Sequence, residues 1–459
     1  MKKNEKDIPE LILKLIKHLE NNLQRSIKTP KTENKYEGRL LATTNYGMHP
    51  PFEQFVPPSK PNRFGPISKH HTTPSYRIRS PLTPSKDDIA LGLYQENNKE
   101  YLLIHVPNIS NIMETNDFIN GWAAKRGQAV ELSKSIVPMI PFVLTDYIRM
   151  KPNISSKCWT FQIELDKKTR GIKTDPETME ISHFKLYPSK VDNIVMVDSP
   201  TDMPPQQLQQ IHRILKMRNG SRTQSLFSSP DYRGRYVYNS ETDSHEFVAS
   251  CLASFMVTEA TITANHLASV YCLQNKLSIP HIGQPNPNPS QFRIETLGRV
   301  YNQKAVLHEY SKLYRPDKIT LSNQRHFTYN LSTYTGFASP SSYYLDIFVQ
   351  KQIAAFQIDP QEMVLSQDHQ ALESLTLHLD NSMKRIRDYN DKIKYKILTD
   401  NLKLSNKPIE GYMLPVDVNN ELVQGFFIPS IGLSVNVSLS EPMKPSRRLH
   451  KINIDSIIE

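Results

Sequence analysis

Tyr101-Leu102-Leu103-Ile104-His105-Val106-Pro107-Asn108-Ile109-Ser110 is the stretch from which the rest of the chain is placed. Its first six residues are apolar, aromatic or β-branched apart from His105, which predicts a strand over 101–106 that Pro107 and Asn108 bring to an end. Outward from it, from Asp87 on, strand-like and helix-like segments alternate. Residues 118–131 read mostly as helix and 159–165 as a second strand, while 204–218, 244–275 and 344–356 read as helices. A long basic helical stretch covers 367–402, and the tail over 409–458 reads as short strands and turns, the pattern of a small barrel. The fold class expected is α+β, with one large core and smaller attachments; no internal repeat is visible.

Upstream the character changes. Residues 7–25 predict an amphipathic helix, with Asp7 as cap, Pro9 in the first turn and Ile8, Leu11, Ile12, Leu15, Ile16, Leu19 and Leu23 on one face. Such a stripe packs on the protein's own body or docks a partner. Residues 29–85 are rich in proline, with basic residues interleaved among Tyr36, Tyr46, Phe52, Phe55, Phe64 and Tyr76, and read as an extended, irregular arm.

Composition narrows the function classes. Lys+Arg is 56 against Asp+Glu 46, a formal net charge of +10 in 459 residues, which points to a polyanionic partner such as nucleic acid. No apolar run approaches the roughly 20 residues that span a bilayer. Cys158, Cys251 and Cys272 are too scattered for a zinc knuckle or a disulfide framework, so reduced thiols in a reducing compartment are expected. The N-terminus has no secretory apolar core, and Glu5, Asp7, Glu10 and Glu20 argue against a simple acid-poor transit peptide.

Six motifs in order then resemble the RNB catalytic domain of the ribonuclease II/R family. Residues 101–110 resemble the family strand that ends in His-Ile-Ala-Asp-Val-Ser, and Ala123-Ala124-Lys125-Arg126-Gly127 its Ala-Ala-Arg-Arg-Gly stretch. Ile136-Val137-Pro138-Met139-Ile140-Pro141 is similar to Ile-Pro-Met-Leu-Pro. Glu259, Ala264 and Asn265 match a family helix, and Ile279 to Gln284 match the segment after it. His326-Phe327, Tyr334, Ser339-Pro340, Tyr344 and Asp346 match the His-Phe…Ser-Pro-Ile-Arg-Arg-Tyr-x-Asp block. Order and spacing together make the resemblance specific. It implies an RNB-type catalytic domain over 80–403, an OB-like C-terminal barrel over 404–459, and, where the family carries cold-shock barrels, the helix over 1–28 and the extended arm over 29–79.

The resemblance also implies a chemistry that this sequence lacks. Family members shorten RNA from the 3′ end with Mg²⁺ held by clustered aspartates in an Asp-Pro-x-x-Ala-x-Asp-x-Asp-Asp-Ala-Leu segment. The matching residues 80–91 place Ser80, Lys86, Asp88 and Ile89 at the four aspartate positions, with Asp87 adjacent. A lysine there would repel a divalent cation. The family's phosphate-facing arginines are replaced by Ser342 and Tyr343, and Glu131 stands where a family aromatic clamps the terminal nucleotide.

The reading that follows is a non-catalytic RNA-binding protein on an inactive exoribonuclease fold, acting in RNA stability, translation or a ribonucleoprotein assembly. The alternatives are a divergent Mg²⁺-dependent 3′-5′ exoribonuclease and a structural subunit that binds proteins through the N-terminal helix and arm. No catalytic residue, metal or cofactor is expected; Asp87 and Asp88 are the residual metal candidates. Single-stranded RNA is the expected partner, with Lys384, Arg385, Arg387, Lys392, Arg218, Arg222, Arg447 and Arg448 as candidate contacts. A mitochondrial location is suggested by the Ile279-Pro280…Gln284 variant, with the cytoplasm as the other option.

Overall fold

Strands β1 (Lys69–His71) and β2 (Ser75–Ile78) are three residues apart, yet β1 is one edge of a seven-stranded sheet and β2 lies next to the other edge. The order is β1-β8-β7-β4-β3-β2-β9, where β3 is Ala90–Glu96, β4 Lys99–Pro107, β7 Ser156–Glu164, β8 Phe184–Val191 and β9 Ile194–Val197. Strands β8 and β9 are likewise separated by only Asp192 and Asn193. Consecutive Cα atoms are about 3.8 Å apart, so links this short bring the two ends of the sheet together. The Asp192 amide donates to the His71 carbonyl at 3.0 Å, and the Ser75 amide donates to the Asn193 carbonyl at 2.9 Å. The sheet is therefore a curled, closed ring in which β1–β2 is one bent strand running parallel to the bent strand β8–β9. The other neighbours pair antiparallel.

The described residues of this computed structural model are 68–79, 89–114, 117–178, 180–197, 206–222, 235–287, 308, 314–360, 368–404, 408–416, 423–429, 433–438 and 448–452. The helix expected over 7–25 and the arm up to residue 67 lie outside them. Residues 68–79, read from the sequence as the end of the arm, instead supply β1 and β2, and Tyr76 is buried in the core. Pro74 bends the chain between two short strands that pair with others more than a hundred residues away, a link that no local pattern reveals.

The ring has an apolar outside, and its inside combines a polar cluster with a small apolar one of Ala90, Met150, Cys158, Val191 and Ile194. Leu102, Ile104 and Val106 of β4 join the main core, while the alternate residue His105 faces Thr160. Inside, His105 Nδ1 lies 2.7 Å from Thr160 Oγ1, which lies 2.6 Å from Ser189 Oγ. The Tyr187 hydroxyl donates to Gln162 Oε1 at 2.8 Å and sits 3.2 Å from His71 Nε2. Burial, then the neighbouring Lys69 charge, lowers His71 to about 4; burial, then His71, lowers His105 to about 3. Both rings are neutral at pH 7, and mutual hydrogen bonds satisfy much of this polar cluster, although His105 Nε2 and Gln162 Nε2 are buried without a partner among the described residues.

Helices cover the outside: α1 (Ser110–Glu114), α2 (Asp117–Arg126), α3 (Phe142–Ile148), α4 (Gln206–Arg222), α5 (Leu252–Gln274), α6 (Tyr344–Ile358) and α7 (His369–Leu404). The central α5 is buried along nearly its whole length, and Phe337 packs edge-on against Trp159 and Phe161 of β7. Small antiparallel pairs complete this part: β5 (Val130–Glu131) with β6 (Ile136–Val137), β10 (Arg235–Asn239) with β11 (Ser244–Val248), and β12 (His281–Gly283) with β13 (Lys318–Thr320).

Two boundaries differ from the sequence reading. Residues 244–275 are not one helix: Asp243 turns the chain at φ 47°, and 244–248 pair back on 235–239 before α5 begins. The Tyr236–Phe247 edge contact at 5.6 Å explains the preference. The helix over 118–131 stops at Arg126 because Gly127 adopts φ 77° and a Cβ there would lie 2.9 Å from Ser382 Oγ. In the C-terminal segment, β14 (Ile409–Val416), β15 (Val423–Ile428), β16 (Leu433–Ser438) and β17 (His450–Ile452) form a four-stranded antiparallel sheet in the order β16-β15-β14-β17. Among the described residues no helix is long and apolar enough to cross a membrane.

Candidate functional site

The loop over 337–344 is fixed by side chains from two helices. From α5, Asn265 Oδ1 accepts from the Phe337 and Ala338 amides at 3.0 and 2.9 Å, and its Nδ2 donates to the Tyr334 hydroxyl at 2.9 Å. From α6, Asp346 Oδ2 accepts from the Ser339 amide at 2.7 Å, and Gln350 Nε2 donates to the Phe337 carbonyl at 3.1 Å. Gly336 is required for this approach, because a Cβ would meet the Asp346 carboxylate and its neighbour Leu345. On the other side, the Ala129 amide donates to the Ser342 carbonyl at 2.7 Å and the Tyr344 amide donates to the Gly127 carbonyl at 2.8 Å. The loop is thus clamped by backbone that continues from the Ala123–Gly127 motif.

The side chains at the expected phosphate-facing positions carry no charge. Ser342 is buried and its hydroxyl lies 3.5 Å from that of Ser341; Tyr343 is half-buried. Ile89, at the start of β3, is 2% exposed within the main apolar core. A carboxylate or a hydrated ion would be desolvated there, so this position does not fit Mg²⁺. Ser80, Lys86, Asp87 and Asp88 lie outside the described residues. Among the described residues no group of three or more His, Cys, Asp or Glu could hold a metal ion.

The candidate cations divide. Ile386, Tyr389 and Ile393 of α7 pack against Val130, Leu132 and Val137, while Lys384, Arg385 and Lys392 are exposed. Ser382 Oγ donates to the Arg126 carbonyl at 3.2 Å, so this helix is anchored beside the clamp on the 337–344 loop. Arg387 is half-buried and donates to the Asp317 carbonyl at 3.1 Å. Arg448 is exposed, and Arg447 lies outside the described residues. Arg218 and Arg222 are buried at the end of α4. Arg222 forks onto Glu259 of α5, with Nε 3.1 Å from Oε1 and Nη2 2.5 Å from Oε2, and Asn219 Nδ2 donates to the same carboxylate at 3.1 Å. The Glu131 carboxylate is paired with Arg235 of β10 at 2.5 Å.

Residues 72–359, more than half of the chain, match the RNB domain. The chain belongs to the RNB family. It is 21% identical over 320 residues to ribonuclease R of Chlamydia pneumoniae, covering 60% of this chain and 45% of that protein, so it spans less than half of that relative's length. Its fold is similar to Mycoplasma genitalium RNase R solved with ribose-methylated single-stranded RNA (TM-score 0.64, 15% identity, 96% of this chain and 75% of that one). It is also similar to yeast Ssd1, described as a pseudonuclease (TM-score 0.61, 16% identity, 81% and 50%).

Several polar groups of this RNB domain, His326 of a matched motif apart, had no signal in the sequence. His266 Nε2 lies 2.7 Å from Glu180 Oε2, and Ser332 Oγ donates to Glu180 Oε1 at 2.6 Å. Burial opposes ionisation of Glu180, but the His266 hydrogen bond and charge, then Ser332 and Arg218, outweigh it and hold the carboxyl at about 2. His326 stacks on Tyr329 at 4.1 Å and is lowered to about 3, first by burial and then by Arg222. Glu259 and Asn265 stood in a matched motif; the sequence did not show that the partners of Glu259 would come from the end of α4 and those of Asn265 from the 334–338 segment.

Proposed function

We propose that this chain is a non-catalytic RNA-binding protein that uses the RNB scaffold to hold single-stranded RNA without cleaving it. The observation that carries the reading is the pairing of an uncharged Ser342 and an apolar Ile89 with an exposed cationic face on α7 beside the same loop. Phosphate attraction needs only the cations, whereas hydrolysis needs charges aimed at the scissile group. The RNA held by the similar Mycoplasma genitalium enzyme, and the pseudonuclease among the similar folds, support the two halves of this reading. A role in RNA stability or translation, in mitochondria, is the setting we favour, tested by fractionation and by sequencing RNA crosslinked in cells.

The direct test uses 5′-labelled single-stranded RNA. Binding is expected to fall linearly on a log–log plot against salt, with no Mg²⁺-dependent shortening. Replacing Lys384, Arg385 and Lys392 together by alanine should flatten that slope by about 2, at about 0.7 per lost phosphate contact on a single strand. Shortening with Mg²⁺ would establish an exoribonuclease instead. No binding at low salt would leave a protein-binding subunit.

A further inference from the structure

The end of α4 opens onto a cavity of about 270 Å³ whose lining includes Arg218, Arg222, Arg325, Asn330, Ser332 and Glu180. Three guanidinium groups face one carboxylate in that lining. Arg218 and Arg222 are four residues apart and reach the cavity from one helix face. Arg222 is held in place by Glu259 and by donating to the Tyr329 carbonyl at 2.7 Å. Arg325, exposed on a loop, is oriented by Asn330, whose Nδ2 donates to the Arg222 carbonyl at 2.7 Å. The donors are thus positioned without a ligand, the preorganisation that favours binding.

Glu259 already neutralises Arg222, and the single carboxylate of the lining does not cancel the other two. His266 Nδ1 lies 2.9 Å from the Thr333 carbonyl, which can only accept, so that nitrogen carries hydrogen. With Nδ1 protonated, the 2.7 Å contact from Nε2 to Glu180 requires a further proton between them, and the His266–Glu180 pair is neutral as a unit. The guanidinium charge excludes a metal ion, and the polar lining excludes an apolar ligand. Several guanidinium groups with hydroxyl and amide neighbours suit an anion that accepts from several directions; one Arg fork already satisfies a planar carboxylate.

We propose that the Arg218–Arg222–Arg325 cavity is a phosphate seat, separate from the 337–344 loop. Glu259 and Asn265 are six residues apart on α5, about 9 Å of helix rise, so one rigid element supports both places. Assigning the phosphate to an RNA strand rests on the RNA-binding reading above; the seat itself does not.

The test compares the full chain with Arg325→Gln and Arg325→Glu, chosen because Arg325 is exposed on a loop and its loss spares the buried pair. Inorganic phosphate, against chloride at equal ionic strength, should raise the unfolding midpoint of the wild type. Arg325→Gln should weaken phosphate about tenfold, the effect of one charge-assisted hydrogen bond, and Arg325→Glu should abolish the protection. If RNA is the source, both variants weaken labelled single-stranded RNA as well, and Arg325→Gln flattens the salt slope by about 0.7. Equal phosphate affinity in wild type and Arg325→Glu, with both folded to the same midpoint in chloride, overturns the seat. Loss of phosphate binding with RNA affinity unchanged overturns the RNA source and leaves a seat for a free phosphate compound. A wild type that binds phosphate but no RNA sinks the RNA-binding reading while upholding the seat.

Discussion

Glu259→Ala is expected to be among the most damaging single substitutions in the RNB domain. The Glu259 side chain is fully buried and that of Arg222 is 1% exposed, and the carboxylate receives two bonds from the guanidinium and one from Asn219. Truncating it leaves a guanidinium without its counter-charge in a dry site, a loss of about 3–5 kcal/mol. With a urea dependence of about 3 kcal/mol per molar, the midpoint should fall by about 1 to 1.7 M, followed by circular dichroism. Removing both charges with Glu259→Leu and Arg222→Met should cost less than the sum of the single changes, because neither ion is then stranded; a coupling of about 2 kcal/mol is expected from the double-mutant cycle. A midpoint shift for Glu259→Ala under about 0.3 M, or a double variant that loses the full sum, would refute the claim that these two charges are buried against each other.

Two further outcomes follow from the geometry. Asn265→Ala strands the Phe337 and Ala338 amides and should cost about 2–4 kcal/mol by urea titration, whereas Asn265→Asp, which keeps the acceptor, should cost less. Glu180 is held at about 2, below its ordinary 4.5, so its ionised form is bound more favourably in the folded state. Its contribution is complete above about pH 5 and is lost as pH falls from there towards 2. Glu180→Gln should therefore flatten the stability profile in that window, and an unchanged acid limb would count against the His266–Glu180 contact.

Where a signal is local, residues foretold structure. The run 101–106 became the middle of Lys99–Pro107, the pattern over 344–356 became Tyr344–Ile358, and the basic stretch over 367–402 became His369–Leu404. Periodicity and terminators act over a few residues, so they survive without knowledge of the fold. Family membership was legible for a related reason: six short motifs kept their order, and residues 72–359 match the RNB domain.

The sequence alone determined several of the elements, the excess of positive charge, and the serine and tyrosine standing where the resemblance places arginines. Only the tertiary structure decided which charges face water. Arg218 and Arg222 stood among the candidate RNA contacts, yet the fold buries them and gives Arg222 a partner 37 residues away. Glu131 looked like a bare anion, yet Arg235 reaches it from 104 residues on. Ring closure was hidden too, since β1 and β2 pair with strands roughly 120 residues distant. A charge's free energy depends on burial and on its neighbour within a few ångströms, and neither is written in the spacing along the chain.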